Sequence, residues 1–317
     1  MDDKWGKRGA LRRDVMTMLD RKTKRRWLIA SLFAMLMVAG VAAAQDLGDQ
    51  PDERIALSNG SGNSAEIYLM DSSGQVYLQL TSNGQQNIYP TWSRDGDRVA
   101  FASNVGRAGD FDIYVIDVYS GDSHAVTDTN TNETEPAWSP DGDTIAYVSN
   151  ENTNRDIYVV DIDSGRVTAL TTDSSEESRP SWSPDGDQIA FESNRDGNWN
   201  IYIMDSDGGN VQQITTDPGD DGAPSWSPDG EHIAYVSNRD GNYDIYVYQV
   251  STGQEFALTS SGDDDFDPAW SADSRSVILA RSTGQASEIY SITLQGDEAR
   301  LTDFGGVNRY PAWWAGG

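Results

Sequence analysis

The sequence predicts an all-β chain, and three observations carry that expectation. Six tryptophans, Trp92, Trp138, Trp182, Trp226, Trp270 and Trp313, recur at intervals of 46, 44, 44, 44 and 43 residues, each in a Pro-x-Trp context. A self-similar period in the low forties means one supersecondary unit copied several times. Within each period lie four short runs rich in β-branched and aromatic residues, separated by Asp-Gly, Asn-rich or Ser-Gly turn signals. After residue 45 no stretch shows a 3.6-residue period, so helices are not expected there. Four strands per period describe one blade of a propeller, and the expected architecture is a six-bladed β-propeller with four-stranded blades over residues 54–314.

Ahead of it, residues 1–26 form a basic leader with ten Lys/Arg against four Asp/Glu. Residues 27–44 are apolar and uncharged, preceded by Arg-Lys-Thr-Lys-Arg-Arg and closed by Ala42-Ala43-Ala44. Basic region, apolar core and small-residue site are the layout of a secretory signal helix. The same 18 residues can just span a bilayer core of ~30 Å as an uncleaved anchor. A translation start at Met16 or Met18 would give a signal of more ordinary length. Either way the positive-inside bias leaves the body outside the cytoplasm, in the periplasm or on the outer face of the membrane, with 27–44 its one membrane contact. Residues 45–53 are a linker.

One whole unit reads Pro136-Ala-Trp-Ser-Pro-Asp-Gly142, Thr144–Ser149, Asp156–Asp161, Arg166–Thr171. It recurs at Pro90–Thr127, Pro180–Thr215, Pro224–Thr259 and Pro268–Thr302, giving five blades. Residues 54–81 hold three strands and lack the Pro-x-Trp strand, while Tyr310–Trp314 is that strand alone. The C-terminal strand is therefore expected to complete the N-terminal blade, which hides two edges. The Trp and Ile-Ala-Tyr/Phe runs fill the space between blades, and losing one Trp should cost ~3–5 kcal/mol. Ser-Pro-Asp-Gly is a tight turn in which Pro presets φ, Asp caps and Gly takes positive φ. Ser-Ala-Asp-Ser274 in the last whole unit predicts a looser turn.

The strand order sorts the loops. The Ser-Pro-Asp-Gly and Asp-x-x-x-Gly turns share one monotonous face. The other face varies, and binding belongs where repeats diverge on a rigid scaffold. Just before each Pro, at the mouth of the central channel, stand Tyr89, Glu135, Arg179, Ala223, Asp267 and Tyr310. Phe111, Trp199 and Tyr243, near loop tips, read either as interface anchors or as covers for neighbouring blades. Arg195 and Arg239 read as cations open to a partner's carboxylates or as offsets of local repulsion. These residues, Ala223 aside, are the candidate partner-binding set.

Composition narrows the function classes. Cysteine is absent, which excludes disulfides and thiol chemistry. Residues 45–317 carry thirteen Arg, no Lys and forty-seven Asp/Glu, a net charge near −34 that repels nucleic acid. His124 and His232 read as solvated surface residues three blades apart. Asp217-Pro-Gly-Asp220-Asp221 and Asp263-Asp264-Asp265-Phe-Asp267 are oxygen-rich loops suited in type to Ca²⁺, yet without the spacing of a known calcium loop. They read also as plain solvated loops, and no cofactor is expected.

The run Pro180-x-Trp-Ser-Pro-Asp-Gly-x-x-Ile-Ala-Phe-x-Ser-Asn-Arg-Asp-Gly-Asn-x-x-Ile-Tyr-x-x-Asp205 resembles the WD40-like (PD40) repeat of TolB-type propellers, and the likeness covers residues 54–314. Gln249 and Thr293 depart from it where the Asp after Ile-Tyr stands elsewhere. The resemblance implies an exported, non-catalytic, monomeric protein that binds a protein partner, such as an envelope lipoprotein or peptidoglycan-associated protein, in a Tol-Pal-like assembly. It does not extend to the α/β domain that precedes the propeller in the family proper. A cell-wall or carbohydrate-associated binding propeller is the alternative. Related propellers serve prolyl-oligopeptidase-like hydrolases and oligogalacturonate lyases, but the Gly-x-Ser-x-Gly elbow and the clustered histidines those chemistries need are not in this sequence.

Overall fold

The computed structural model describes residues 51–106, 109–282 and 284–315; the leader, the apolar segment 27–44 and most of the linker lie outside the described residues. Among the described residues every regular element is a strand, and no helix is long and apolar enough to cross a membrane.

The strands fall into repeated antiparallel groups of four. The first described group is β1 (Glu53–Ser61), β2 (Ser64–Asp71) and β3 (Val76–Gln79), with its fourth strand, β24 (Val307–Ala315), from the far end of the chain. Then come β4 (Asn87–Trp92) to β7 (Ser123–Ala125) through β5 (Arg98–Ser103) and β6 (Asp112–Asp117). The next group is β8 (Glu133–Trp138), β9 (Thr144–Ser149), β10 (Asp156–Asp161) and β11 (Val167–Ala169). It is followed by β12 (Glu177–Trp182), β13 (Gln188–Ser193), β14 (Asn200–Asp205) and β15 (Gln212–Gln213). Two further groups are β16 (Asp221–Trp226), β17 (His232–Ser237), β18 (Asp244–Gln249), β19 (Gln254–Ala257) and β20 (Asp265–Trp270), β21 (Ser276–Ser282), β22 (Ser287–Thr293), β23 (Glu298–Arg300). A single parallel pair, Ser287↔Val307, joins the last group to β24 and so to the first. The arrangement is propeller-like, and the edge strands are only two to four residues long, which blunts them for pairing with other chains.

Closure follows the expected pairing. β24 lies antiparallel to β1, with Arg54↔Trp314, Ile55↔Trp313 and Ala56↔Ala312 in register. Ile55, Leu57 and Met70 then pack on Ile278, Ala280 and Ile289, so apolar burial spans the junction between the two chain ends.

Between groups the tryptophans add hydrogen bonds to their packing. The indole N–H of Trp92, Trp182 and Trp270 donates to the carbonyl of Ala312, Ala137 and Ser225, each on the inner strand of the preceding group, at 3.0–3.1 Å. Trp138 instead bonds Gly142 of its own turn, and the buried indole N–H of Trp226 has no partner.

The turns hold themselves. Ser139 Oγ donates to Asp141 Oδ1 at 2.5 Å, the Asp143 amide donates to the same carboxylate, and the Thr144 amide donates back to Ser139 Oγ. Gly142 sits at φ 83°. Ser274, at the equivalent place, adopts φ 58°, and its amide reaches Ser271 O at 3.0 Å, as Gly142 reaches Ser139 O. The turn is thus not looser, contrary to the sequence expectation. Its left-handed serine accepts a bond from the Asp229 amide at 3.1 Å, which offsets part of the steric cost of ~1–2 kcal/mol.

Interstrand bonds confirm how the loops sort. Ile162 N reaches Asp143 O and Val118 N reaches Asp97 O, tying the Asp-x-x-x-Gly turns to the Ser-Pro-Asp-Gly turns on one face. On the other, Asn150 N reaches Asn132 O and Asn194 N reaches Glu176 O.

Candidate functional site

Each innermost strand carries a bulge at the residue before its proline. Pairing skips between Ile88 and Thr91, Thr134 and Ala137, Ser178 and Ser181, Gly222 and Ser225, Phe266 and Ala269, and Arg309 and Ala312. Proline has no N–H to give a ladder, so the bulge suits it. The six residues before the prolines all take φ between 50° and 57°: Tyr89, Glu135, Arg179, Ala223, Asp267 and Tyr310. This left-handed step turns them out of the ladder, and with their prolines they line one central cavity of about 130 Å³. The structure therefore brings together the ring the sequence placed at the channel mouth.

Arg179 organises that ring. Its backbone N–H donates to Glu135 Oε2 at 2.7 Å, and its Nη1 to Asp267 Oδ1 at 3.2 Å. Its guanidinium carbon lies 4.7 Å from the centre of the Tyr89 ring and 5.3 Å from that of Tyr310, whose rings are 4.0 Å apart. One side chain thus touches four of the five other ring members. Asp267 also accepts from Arg309 Nε at 2.5 Å and from the Tyr310 amide at 3.2 Å, which anchors the closing strand β24. Burial would raise the Asp267 carboxyl, but Arg309 and Arg179 outweigh it and hold the group below the usual carboxylate range. Glu192 Oε2 accepts from the Ala223 amide at 2.7 Å; burial pushes its carboxyl up, against the pull of Arg179.

Glu192 and Arg309 were missed by the sequence reading. Both stand where the other repeats hold neutral residues: Glu192 where Ala102, Val148, Val236 and Ala280 occur, and Arg309 where Ile88, Thr134, Ser178, Gly222 and Phe266 occur. A column-by-column comparison of the repeats carries that signal.

The other candidates lie apart from the ring. Arg195 folds back onto Glu177 (3.2 Å) and Asp173 (3.3 Å). Arg239 bridges Asp217 (2.6 Å), Asp221 (3.2 Å) and Glu255 (2.6 Å) and donates to Tyr235 Oη. Of the two readings of these cations, the ion pairs match the offset of local repulsion: each faces an inner carboxylate of its own group. Arg281 does the same work for Asp265 from a strand position, at 2.7 and 3.0 Å. Phe111, Trp199 and Tyr243 are half-buried; Tyr243 packs on Phe266 at 5.2 Å and Arg155 lies 5.4 Å over Trp199. Their carbonyls receive the amides of Glu133, Asp221 and Asp265, linking each loop to the next inner strand. They thus stitch neighbouring groups together.

The carboxylates of the two oxygen-rich loops are likewise engaged separately. Asp217 and Asp221 face Arg239, Asp220 receives the Trp199 amide, Asp264 the Tyr243 amide, and Asp265 faces Arg281. Burial, opposed by Ser237, Thr215 and Arg239, pushes the Asp221 carboxyl up to about 6. Among the described residues one group of three possible metal ligands converges, Asp229, Glu231 and His232 on the turn face. His232 is half-buried against Trp270, 5.8 Å between rings, and is not the solvated residue expected; His124 is exposed on β7.

The chain matches the model of the TolB beta propeller domain (PD40) over residues 104–183 and 133–317. Among solved structures it is similar to TolB from Acinetobacter baumannii, with 26% identity and a TM-score of 0.75 over 82% of this chain and 66% of that one. It thus spans just under two thirds of that protein's length. It shares the fold of a putative TolB from Agrobacterium tumefaciens (22% identity, TM-score 0.66, 80% and 90% of the two chains). An oligogalacturonate lyase in complex with manganese shares the fold at 18% identity and a TM-score of 0.57, over 78% and 73%. No curated protein matches the chain.

Proposed function

Since the chain belongs to the TolB β-propeller domain family, we propose that it acts as an exported, non-catalytic six-bladed propeller that binds a protein partner on the channel-mouth face. Residues 54–314 form the propeller, with residues 27–44 as signal or anchor, and the protein works as a monomer outside the cytoplasm, in an envelope assembly of the Tol-Pal kind. The observation that carries this reading is the set of six left-handed residues at the channel. The fold fixes where they stand and leaves their side chains free to differ, which is how a rigid scaffold acquires specificity. The two arginines Arg179 and Arg309 face Glu135 and Asp267, and Asp267 is held ionised between them.

Around the mouth the loops expose Asp128, Glu151, Asp173, Asp196, Asp240 and Asp263. That rim fits a partner with a basic face, and the field of the body would speed their encounter. The test reverses two of these charges, Glu151→Lys with Asp263→Lys, against Asp122→Lys with Asp163→Lys on the turn face. Photocrosslinking in envelope preparations identifies the bound protein, and its affinity is then measured with each variant. The mouth pair should weaken binding by about tenfold or more, chiefly through the association rate, and the turn-face pair should not. Equal effects from both pairs would refute the assignment of the face.

A further inference from the structure

On the face opposite the channel mouth, three departures from the repeat converge at one place. In the turns after β8, β12 and β16 the second residue is proline: Pro140, Pro184 and Pro228. Pro140 and Pro184 each pack on the glycine of the next turn, so that a Cβ at Gly186 would meet Pro140 Cγ at 3.4 Å and one at Gly230 would meet Pro184 Cγ at 3.3 Å. After β4 that residue is Arg94, and a Cβ at Gly142 would meet nothing within 4 Å. The missing proline leaves a groove of about 510 Å³ between the two turns, within the range of small-ligand sites.

The other two departures form its walls. Trp314 stands where the other inner strands run into Ser93, Ser139, Ser183, Ser227 and Ser271. Its indole N–H donates to Arg94 O at 3.0 Å, and the fully buried Arg54 guanidinium backs the ring, 3.7 Å from its centre. Arg98 replaces Thr144, Gln188, His232 and Ser276, and lies 4.8 Å over the Trp138 ring. Arg94 bridges the groove to Pro140 O at 3.1 Å. Asp95, Asp141 and Asp143 complete the lining and are exposed.

We propose that this groove is a binding site for a neutral saccharide. An indole held rigid from behind offers an apolar platform for the C–H face of a sugar ring. Guanidiniums supply donors and carboxylates supply acceptors to either side, the complement of vicinal hydroxyls, which need both. The near balance of two cations and three anions, on a body of strongly negative charge, disfavours an anionic ligand. The site does not depend on the protein-partner reading, being on the opposite face.

The test uses the full chain, kept soluble in a detergent without a sugar headgroup. Cellobiose and N,N′-diacetylchitobiose are the neutral probes, digalacturonate and inorganic phosphate the anionic ones, followed by saturation-transfer NMR and tryptophan fluorescence. Arg94→Pro restores the turn found after β8, β12 and β16 and should fill the groove while leaving the thermal midpoint unchanged or higher. A neutral disaccharide should bind the wild type, and Arg94→Pro should weaken it by about tenfold or more. Arg98→Gln, the residue found at position 188, removes one donor and should weaken binding by at least about threefold; it carries the test should the first variant not fold. No binding of either neutral sugar, tighter binding of digalacturonate or phosphate, or unchanged affinity in the folded variants would overturn the proposal.

Discussion

Replacing Asp267 by Asn tests whether the channel ring is an electrostatic clasp. The Asp267 side chain is 5% exposed and meets Arg179 at 3.2 Å and Arg309 at 2.5 Å, with 23% and 28% of those arginine side chains exposed. Asparagine keeps one acceptor, enough for Arg309 and the Tyr310 amide, but turns an N–H₂ donor towards Arg179 Nη1. Two guanidiniums are then left in the cavity with Glu135 and Glu192 as the nearest acids. Breaking a largely buried pair by removing one partner costs about 3 kcal/mol. For a propeller of this size that lowers the thermal midpoint by about 6–10 °C. The pH dependence has a definite sign. The folded Asp267 carboxyl lies below its unfolded value, so its contribution is complete above the unfolded value of about 4 and is lost as pH falls through the folded one. The gap between wild type and Asp267→Asn should be constant at neutral pH and close below about pH 4. Because Asp267 also holds β24, limited proteolysis of the variant should cut first in the C-terminal strand. A midpoint change under about 2 °C, or a gap that widens in acid, would refute the clasp.

The remaining expectations use the same physics elsewhere. Asp221 has a raised carboxyl, so its ionisation opposes folding at neutral pH. Lowering pH from 7 towards 5 should stabilise the protein, and Asp221→Asn should raise the midpoint at pH 7.5 but not at pH 5; a uniform loss at both would contradict the sign. Trp270→Phe removes a bond to Ser225 O, whereas Trp226→Phe removes a buried N–H that has no partner. Denaturant unfolding should find the first more costly by about 1 kcal/mol, and the reverse order would contradict the stitching role of the indoles.

Strand positions were legible because the period-2 runs and Asp-Gly turns are local signals, and copying them made each unit a check on the next. The ring at the channel was legible for a related reason: proline after a bulge leaves one position per unit with nowhere to point but the cavity. Side chains that reach across the chain were not. Nothing within Ser-Asn-Arg239-Asp-Gly says that the guanidinium folds back on Asp221 while also reaching Asp217 and Glu255. That depends on which carboxylates three other segments bring within range. Glu192 and Arg309 show the same limit from the other side, since each breaks an otherwise neutral column for the sake of partners in other groups. Ser274 misled because the turn is defined by its Ser-x-Asp cap, and a left-handed serine is tolerated once a neighbouring amide binds its hydroxyl.

A repeat protein can make a binding site by two routes, and the two sites proposed for this chain would use one each. At the channel every unit obeys the same backbone rule, and the strain of six left-handed residues, of order 1–2 kcal/mol each, is carried whatever their side chains are. Identity there is not dictated by the backbone rule, but the side chains must still satisfy one another, as Asp267 does with Arg179 and Arg309. On the turn face the backbone rule also holds, but packing does constrain identity: proline on glycine seals the joints at Pro140–Gly186 and Pro184–Gly230. The proposed site there lies where the proline is missing, at Arg94 beside Gly142, and the exposed joint is braced by something the repeat lacks. Trp314 provides the brace, since it ties the broken turn to the closing strand through Arg94 O. The same tryptophan that would floor a ligand site therefore also secures the chain's closure. That coupling makes Arg94→Pro, which reseals the joint and leaves the brace in place, the informative substitution, and makes loss of Trp314 the one whose effects on binding and on folding would be inseparable.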